Sequence, residues 1–152
     1  MTDVLRPAQP RLSAETVHAS TVAFEGRAVL ITGPSGAGKS DLALRLLDRG
    51  FTLISDDQTI VRLDQGRLIA SPPPNIAGKL EIRGIGIIDM EHEKDLPVAL
   101  LVELTSDIQR LPDDSRERPL LGVMLPLISI DAMAASAPSK VALALDRMGL
   151  KF

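Results

Sequence analysis

The feature that most constrains this chain is a glycine-rich stretch ending in Gly-Lys-Ser, at residues 33–40. It follows the pattern Gly, any four residues, Gly-Lys-Ser/Thr, which is the phosphate-binding loop. The apolar run at residues 28–32 predicts a buried parallel strand before the loop. Apolar residues at helical spacing between Leu42 and Leu47 predict a helix after it, which Gly50 ends. This order of elements predicts a nucleotide site in an α/β fold.

The chemistry of the loop follows from its backbone. Glycines let backbone N–H groups turn inward around an anion, and the following helix adds about half a positive charge. We expect Lys39 to reach the β- and γ-phosphates and the Ser40 hydroxyl to bind Mg²⁺. The predicted nucleotide-binding residues are Gly33, Pro34, Ser35, Gly36, Ala37, Gly38, Lys39 and Ser40. The alternative, an ordinary glycine-rich turn, is disfavoured because both flanking elements fit the motif.

Two carboxylates, Asp56 and Asp57, follow the next apolar run at residues 51–55. The carboxyl ends of strands are where α/β sheets bind their ligands. An acidic residue there can hold Mg²⁺ or accept the proton of an attacking hydroxyl. Adjacent side chains on an extended segment point to opposite sides, so different roles are expected for the two. The alternative is a solvated turn, in which Asp is common.

His18 lies in a segment, residues 15–24, whose near-alternating β-branched residues predict a single strand. A tight turn at residues 25–27 would return the chain into the strand before the phosphate loop. His18 is therefore a candidate for the same site. The residues alone also allow a surface histidine or one satisfied in the core.

The rest of the chain predicts further strands and a final helix. Asp64-Gln65-Gly66 is a hairpin signal between strands at residues 59–63 and 67–70. Residues 98–104 predict a strand, and residues 120–130 an extended segment broken by Gly122 and Pro126. A helix starting at Pro138-Ser139 is expected to bury Val141, Leu145 and Met148 and to close at Gly149.

Residues 80–89 contain an unusual apolar run. Glu81 and Arg83 form a charge pair inside it, and Gly84 and Gly86 interrupt it. These are poor choices for a regular strand, and such local conflicts are often found at functional sites. The alternative is a bulged strand whose charged side chains face water.

Composition excludes several classes of function. The net charge of -3 and the aromatic content of 2% argue against a general nucleic-acid binder. The absence of cysteine excludes disulfides and cysteine metal sites, and no apolar run approaches the roughly 20 residues of a membrane span. We expect a cytoplasmic enzyme with a loose leader at residues 1–14 and one catalytic domain at residues 15–152.

Four separated motifs together resemble HPr kinase/phosphorylase. They are His-Ala-Ser-Thr-Val from residue 18, Gly-Pro-Ser-Gly-Ala-Gly-Lys-Ser-Asp from residue 33, the Asp56-Asp57 pair, and Glu-Ile-Arg-Gly-Ile-Gly-Ile-Ile-Asp from residue 81. The resemblance implies an α/β fold with a P-loop-containing mixed sheet flanked by helices, similar to the phosphoenolpyruvate carboxykinase core. It also implies a serine protein kinase that uses ATP and Mg²⁺. Its substrate would be HPr, a phosphocarrier of the sugar phosphotransferase system.

The resemblance also assigns roles to individual residues. It implies that Asp57 is the general base toward the serine hydroxyl and the acid in the reverse phosphorolysis. It implies that Glu81 joins Ser40 in holding Mg²⁺. The implied catalytic residues are His18, Lys39, Asp57 and Arg110. A homo-oligomer, commonly a hexamer, is the assembly that the family implies.

This sequence departs from the family pattern at several points. Pro34 stands where the family usually has Asp, and residues 125–131 replace the basic loop tied to dephosphorylation. Kinase activity is therefore expected more strongly than phosphorylase activity. The charged segment at residues 113–118 is a candidate docking element, with a solvated connection as the alternative. Two other functions remain open: a phosphate-loop kinase of a small metabolite, and a nucleotide-sensing module without transfer activity.

Overall fold

The phosphate loop connects a central strand to a helix in a mixed α/β fold. The computed structural model describes residues 13–107 and 116–152. The strands in these ranges are β1 Ala14–Val17, β2 Ala19–Phe24, β3 Arg27–Thr32, β4 Thr52–Ser55, β5 Thr59–Asp64, β6 Arg67–Ser71, β7 Lys79–Ile82, β8 Gly86–Asp89, β9 Leu96–Leu104, β10 Glu117–Leu120 and β11 Val123–Ile130. The helices are α1 Lys39–Leu47 and α2 Ala137–Met148, with a short 3₁₀ helix at Pro74–Ile76.

Nine of these strands form one curled sheet. Seven follow the order β1-β5-β6-β9-β3-β2-β4, and the other two, β10 and β11, lie off this path. Strand β9 connects its two halves, because its start pairs with β6 and its end with β11, which carries β10 at the outer edge. The β3–β9 and β9–β11 pairs are parallel and the others antiparallel. The predicted parallel strand before the loop, β3, thus has a parallel neighbour on one side and antiparallel β2 on the other.

The two faces of the sheet bury different sets of apolar side chains. Alternate residues of β3 point to opposite faces, so Ile31 packs with the helices and Leu30 packs beneath the β5–β6 side of the curl. On the helical face, Leu42 and Leu46 of α1 meet Leu145 of α2. The loop is thereby held between a buried strand and a buried helix stripe.

Several predictions from the sequence are confirmed by the strands observed. The hairpin at β5–β6 turns at Gln65 and Gly66, both with positive φ, and β9 covers the predicted strand at residues 98–104. The segment at residues 120–130 becomes the β10–β11 hairpin, which turns at Leu121 and Gly122. Pro126 lies in β11 just before the residues that pair with β9, so its missing N–H breaks no bond of that ladder.

The predictions for residues 15–24 and for Met148 are wrong. Residues 15–24 form two strands that separate at His18, because β1 pairs with β5 while β2 pairs with β3 and β4. Residues 80–89, for which a bulged strand was the alternative to a functional site, form the β7–β8 hairpin. Met148 is half exposed: it continues the face of α2 that buries Val141, Ala144 and Leu145, but it is the last residue of the helix.

No helix among the described residues is long and apolar enough to span a bilayer.

Candidate functional site

The phosphate loop occupies residues 33–38, between the end of β3 and the start of α1. Gly38 caps the helix in the left-handed region with φ 102°. A Cβ at this position would lie 3.1 Å from the Ala132 Cβ, so the loop approaches the segment after β11 closely. Both the backbone angle and the close approach require glycine here.

Lys39 is the first residue of α1, and its side chain is only 6% exposed. Its Nζ donates to the carbonyl oxygens of Gly33 at 2.9 Å and Pro34 at 3.1 Å. The ammonium group therefore lies inside the curve of the loop. A cation held there is in position to meet an anion bound by the loop amides.

Asp56 is buried at the end of β4, where three donors from separate elements converge on its carboxylate. Its Oδ1 accepts hydrogen bonds from Ser40 Oγ at 2.6 Å and Ser20 Oγ at 2.9 Å. Its Oδ2 accepts from the Glu81 backbone N–H at 3.1 Å. Asp56 thus joins the helix after the phosphate loop to β2 and to the β7–β8 hairpin.

Asp57 has a different environment from Asp56. Its Oδ1 lies 2.7 Å from His18 Nε2, and the two side chains are 62% and 47% exposed. The prediction that these two side chains alternate along an extended segment is wrong, because Asp57 adopts φ 67° in the left-handed region. The sharp turn there separates the two carboxylates, leaving Asp56 on Ser40 and Asp57 at the solvent-accessible His18.

An open cleft of about 1310 Å³ is lined by Lys39, Ser40, Asp56 and Asp57. Its walls include the phosphate loop, both aspartates, Met133 and the exposed side of the β7–β8 hairpin, where Glu81 lies. The structure therefore brings Lys39, Ser40 and Glu81 to one cleft with Asp57, which contacts His18. Arg110 lies outside the described residues, as do residues 113–115 of the candidate docking element.

The donor set suits a weakly chelated Mg²⁺ ion. Across residues 13–107 and 116–152, no group of three or more His, Cys, Asp and Glu side chains is placed to hold a metal. Mg²⁺ characteristically takes one or two carboxylates and completes its shell with phosphate oxygens and water. The Ser40 hydroxyl touching Asp56, with Glu81 lining the same cleft, provides such a partial set.

A second charged cluster lies at the carboxyl ends of β9 and β11. Glu103 accepts a 2.8 Å hydrogen bond from Arg118 Nη2 and lies 3.8 Å from Arg116 Nη2. The hydrogen bond from Arg118 lowers the pKa of the Glu103 carboxyl below its ordinary value, against an opposing effect of burial. Neither arginine lines the cleft, and both are tied to this glutamate, so the cluster fixes the β10–β11 hairpin to β9.

Sequence reasoning missed Ser20 and left the role of Asp56 unassigned. Ser20 is fully buried on β2 and contacts both aspartates. The signal was present in the sequence, because the hydroxyl residues Ser20 and Thr21 interrupt a buried strand close to the phosphate loop. A buried hydroxyl needs a partner, but the sequence does not say which one.

Comparisons with known proteins identify the family of this chain. The chain matches the family described as HPr Serine kinase C-terminal domain over residues 11–144. It is 37% identical to an HPr kinase/phosphorylase of Clostridium botulinum, over 79% of this chain and 44% of that protein. It is 34% identical to one of Ralstonia nicotianae, over 87% of this chain and 45% of that protein. The chain thus spans less than half the length of these relatives.

A solved structure has the same fold. The Hpr(Ser) kinase/phosphatase from Coxiella burnetii superposes with a TM-score of 0.75 at 30% identity, covering 87% of this chain and 94% of that chain. This likeness confirms the mixed α/β fold predicted from the sequence. The match over residues 11–144 confirms the resemblance seen in the four motifs. The chain belongs to the HPr serine kinase C-terminal domain family.

Proposed function

We propose that this chain is the catalytic domain of an ATP- and Mg²⁺-dependent protein kinase that phosphorylates a serine of HPr. The observation that carries the proposal is the convergence of Lys39, the Ser40–Asp56 pair and the Asp57–His18 pair at one cleft. The relatives are named HPr kinase/phosphorylase, which gives the acceptor. A homo-oligomer, a hexamer by family resemblance, is part of the same proposal.

In this proposal the loop and its lysine bind the triphosphate. Phosphoryl transfer depends on in-line positioning and charge stabilisation more than on covalent chemistry. The loop amides and Lys39 would bind the β- and γ-phosphates. Ser40, with Asp56 and Glu81, would hold Mg²⁺, which neutralises charge that develops on the phosphate oxygens.

Asp57 is the proposed proton acceptor. As the serine oxygen of HPr forms a bond to the γ-phosphorus, the bond from that phosphorus to the β,γ-bridging oxygen breaks and ADP leaves. The serine hydroxyl proton passes to the Asp57 carboxylate. His18, 2.7 Å from Asp57 Oδ1, would hold this carboxylate in place. Arg110 is proposed as a further active-site residue from the family resemblance alone.

The mouth of the cleft fits a protein acceptor better than a small metabolite. Three large apolar side chains that line the cleft are strongly exposed: Ile85 and Ile87 of the β7–β8 hairpin at 70% and 65%, and Met133 at 88%. Large apolar side chains exposed around a polar site are typical of surfaces that bind other macromolecules. A metabolite kinase would instead be expected to enclose its substrate.

The test is the intact mass of HPr after incubation with this protein, ATP and Mg²⁺. The expected result is the addition of one phosphate to an HPr serine, and its loss with the Asp57→Ala variant. Inorganic phosphate added afterwards tests the reverse phosphorolysis, which we expect to be weaker than the forward reaction. If HPr gains no mass while ATP still binds, the kinase proposal is wrong and a nucleotide-sensing module is favoured.

A further inference from the structure

The buried polar side chains of this protein are concentrated beneath the site. Among the described residues they are Ser20, Thr21, Lys39, Ser55, Asp56 and Thr59. Two belong to the proposed nucleotide and metal site, and the other four are hydroxyls around the turn at residues 56–58. Burying a hydroxyl is costly unless it is hydrogen-bonded, so this concentration around one turn needs an explanation.

Ser20 differs from the other three hydroxyls because it contacts both aspartates. Its Oγ donates to Asp56 Oδ1 at 2.9 Å and accepts the Asp57 backbone N–H at 3.1 Å. Ser55 Oγ, in contrast, donates to the Gln58 carbonyl, and Thr21 and Thr59 bond to each other. One side chain on β2 therefore fixes the carboxylate of one aspartate and the backbone of the other.

The backbone of Asp57 needs such support. A non-glycine residue with positive φ is strained and persists where surrounding contacts fix it. The Ser20 hydroxyl satisfies the Asp57 N–H, and Ser20 is itself fully buried on β2. The same hydroxyl shares Asp56 Oδ1 with Ser40, which restricts rotation of that carboxylate.

We propose that Ser20 is a positioning residue that sets the two aspartates in their separate roles. It directs Asp56 toward Ser40 at the metal side, and it holds Asp57 in the left-handed turn that brings its carboxylate to His18. The inference rests on the kinase function proposed above. Ser20 acts through the two aspartates and does not itself touch nucleotide or acceptor.

The chain offers a matched control in Ser71. Its Oγ donates to Asp95 Oδ1 at 2.6 Å and accepts the Asp95 backbone N–H at 3.2 Å. Asp95 also has positive φ, at 60°, and neither residue lines the cleft. Ser71→Ala therefore removes the same kind of serine–aspartate contact at a position unrelated to the phosphate site.

The experiment compares Ser20→Ala and Ser71→Ala in the full chain by three measurements. We expect Ser20→Ala to raise amide hydrogen exchange at Asp57 by at least about tenfold, since that N–H loses its acceptor. The gain in ATP affinity on adding Mg²⁺ should fall about 10- to 100-fold, the usual effect of removing a residue that orients metal ligands. ATP affinity in EDTA should stay unchanged, whereas in Mg²⁺ the KM for ATP should rise and the turnover of HPr phosphorylation should fall. Ser71→Ala should alter exchange at Asp95 only.

Each outcome decides the inference. The inference is overturned if Ser20→Ala leaves amide hydrogen exchange at Asp57 unchanged. It is also overturned if that exchange becomes faster while Mg²⁺ still raises ATP affinity as much as in the wild type. If the wild-type chain transfers no phosphate, the kinase proposal fails, while exchange and Mg²⁺-dependent ATP binding still decide the role of Ser20. If the alanine variant does not fold, Ser20→Cys carries the same comparison, because a thiol is a weak donor and acceptor of similar size.

Discussion

His18 Nε2 and Asp57 Oδ1 lie 2.7 Å apart, although 39 residues separate them along the chain. His18 stands at the break between β1 and β2, and Asp57 at the left-handed turn after β4. Both irregular positions are outside the regular strands, and Asp57 lines the cleft. The contact therefore depends on where two strands end, which explains why the break at His18 is part of the site.

Asp57→Asn is predicted to lower phosphate transfer to HPr by at least about 10²-fold, the usual scale of base catalysis. Asparagine tolerates positive φ, so the turn is kept while the proton acceptor is lost. ATP affinity by calorimetry should match the wild type. Asp95→Asn is the matched control, because Asp95 also has positive φ but lies outside the cleft. Near-full transfer by Asp57→Asn would contradict the base assignment.

Lys39→Ala is predicted to raise the Kd for ATP by at least about tenfold. A charge-assisted hydrogen bond contributes about 1.5–3 kcal/mol, and 1.4 kcal/mol corresponds to a factor of ten. Calorimetric titration with ATP measures the effect, and Lys140→Ala on the exposed side of α2 is the control. Equal affinities for both variants would mean that the loop binds its ligand without this lysine.

Asp56→Asn is predicted to reduce the Mg²⁺ dependence of ATP binding more than Glu81→Gln does. Asp56 is buried and directly hydrogen-bonded to Ser40, whereas the Glu81 residue is exposed in the cleft. Fluorescent ATP titrated at several Mg²⁺ concentrations separates the two effects. Glu93→Gln, at an exposed position outside the cleft, provides the baseline. A larger effect at Glu81 would place the main metal carboxylate on the β7–β8 hairpin.

Glu103 is predicted to stabilise the fold at neutral pH and to lose this contribution in acid. Its folded-state pKa is lowered chiefly by the Arg118 hydrogen bond. The contribution is therefore complete above the ordinary glutamate pKa of about 4.3 and lost as pH falls through the lower folded value. In urea unfolding, Glu103→Gln should have a lower free energy of unfolding than the wild type at neutral pH. This difference should shrink in acid. A difference in unfolding free energy that does not depend on pH would rule out this linkage. The control variant, Glu117→Gln at an exposed position, should unfold with the same free energy as the wild type.

The local elements were largely predictable because their causes are local. The turn signal Asp64-Gln65-Gly66 predicted the β5–β6 hairpin, and apolar periodicity predicted α1. The errors arose in segments whose structure depends on residues distant in the chain. Residues 15–24 have the pattern of one strand, but two separate partner strands divide them at His18. Met148 fits the helical period, yet it is the last residue of α2 and half of it is exposed.

The sequence by itself determined the phosphate loop and the kind of chemistry near it, because the motif, its glycines and its flanking elements are contiguous in the chain. Only the tertiary structure decided how Asp56 and Asp57 divide their roles. Their partners Ser20, Ser40 and His18 lie 16 to 39 residues away, and strand pairing brings them together. A side chain's residue type limits which contacts it can make, while the packing of distant strands selects the contact that forms.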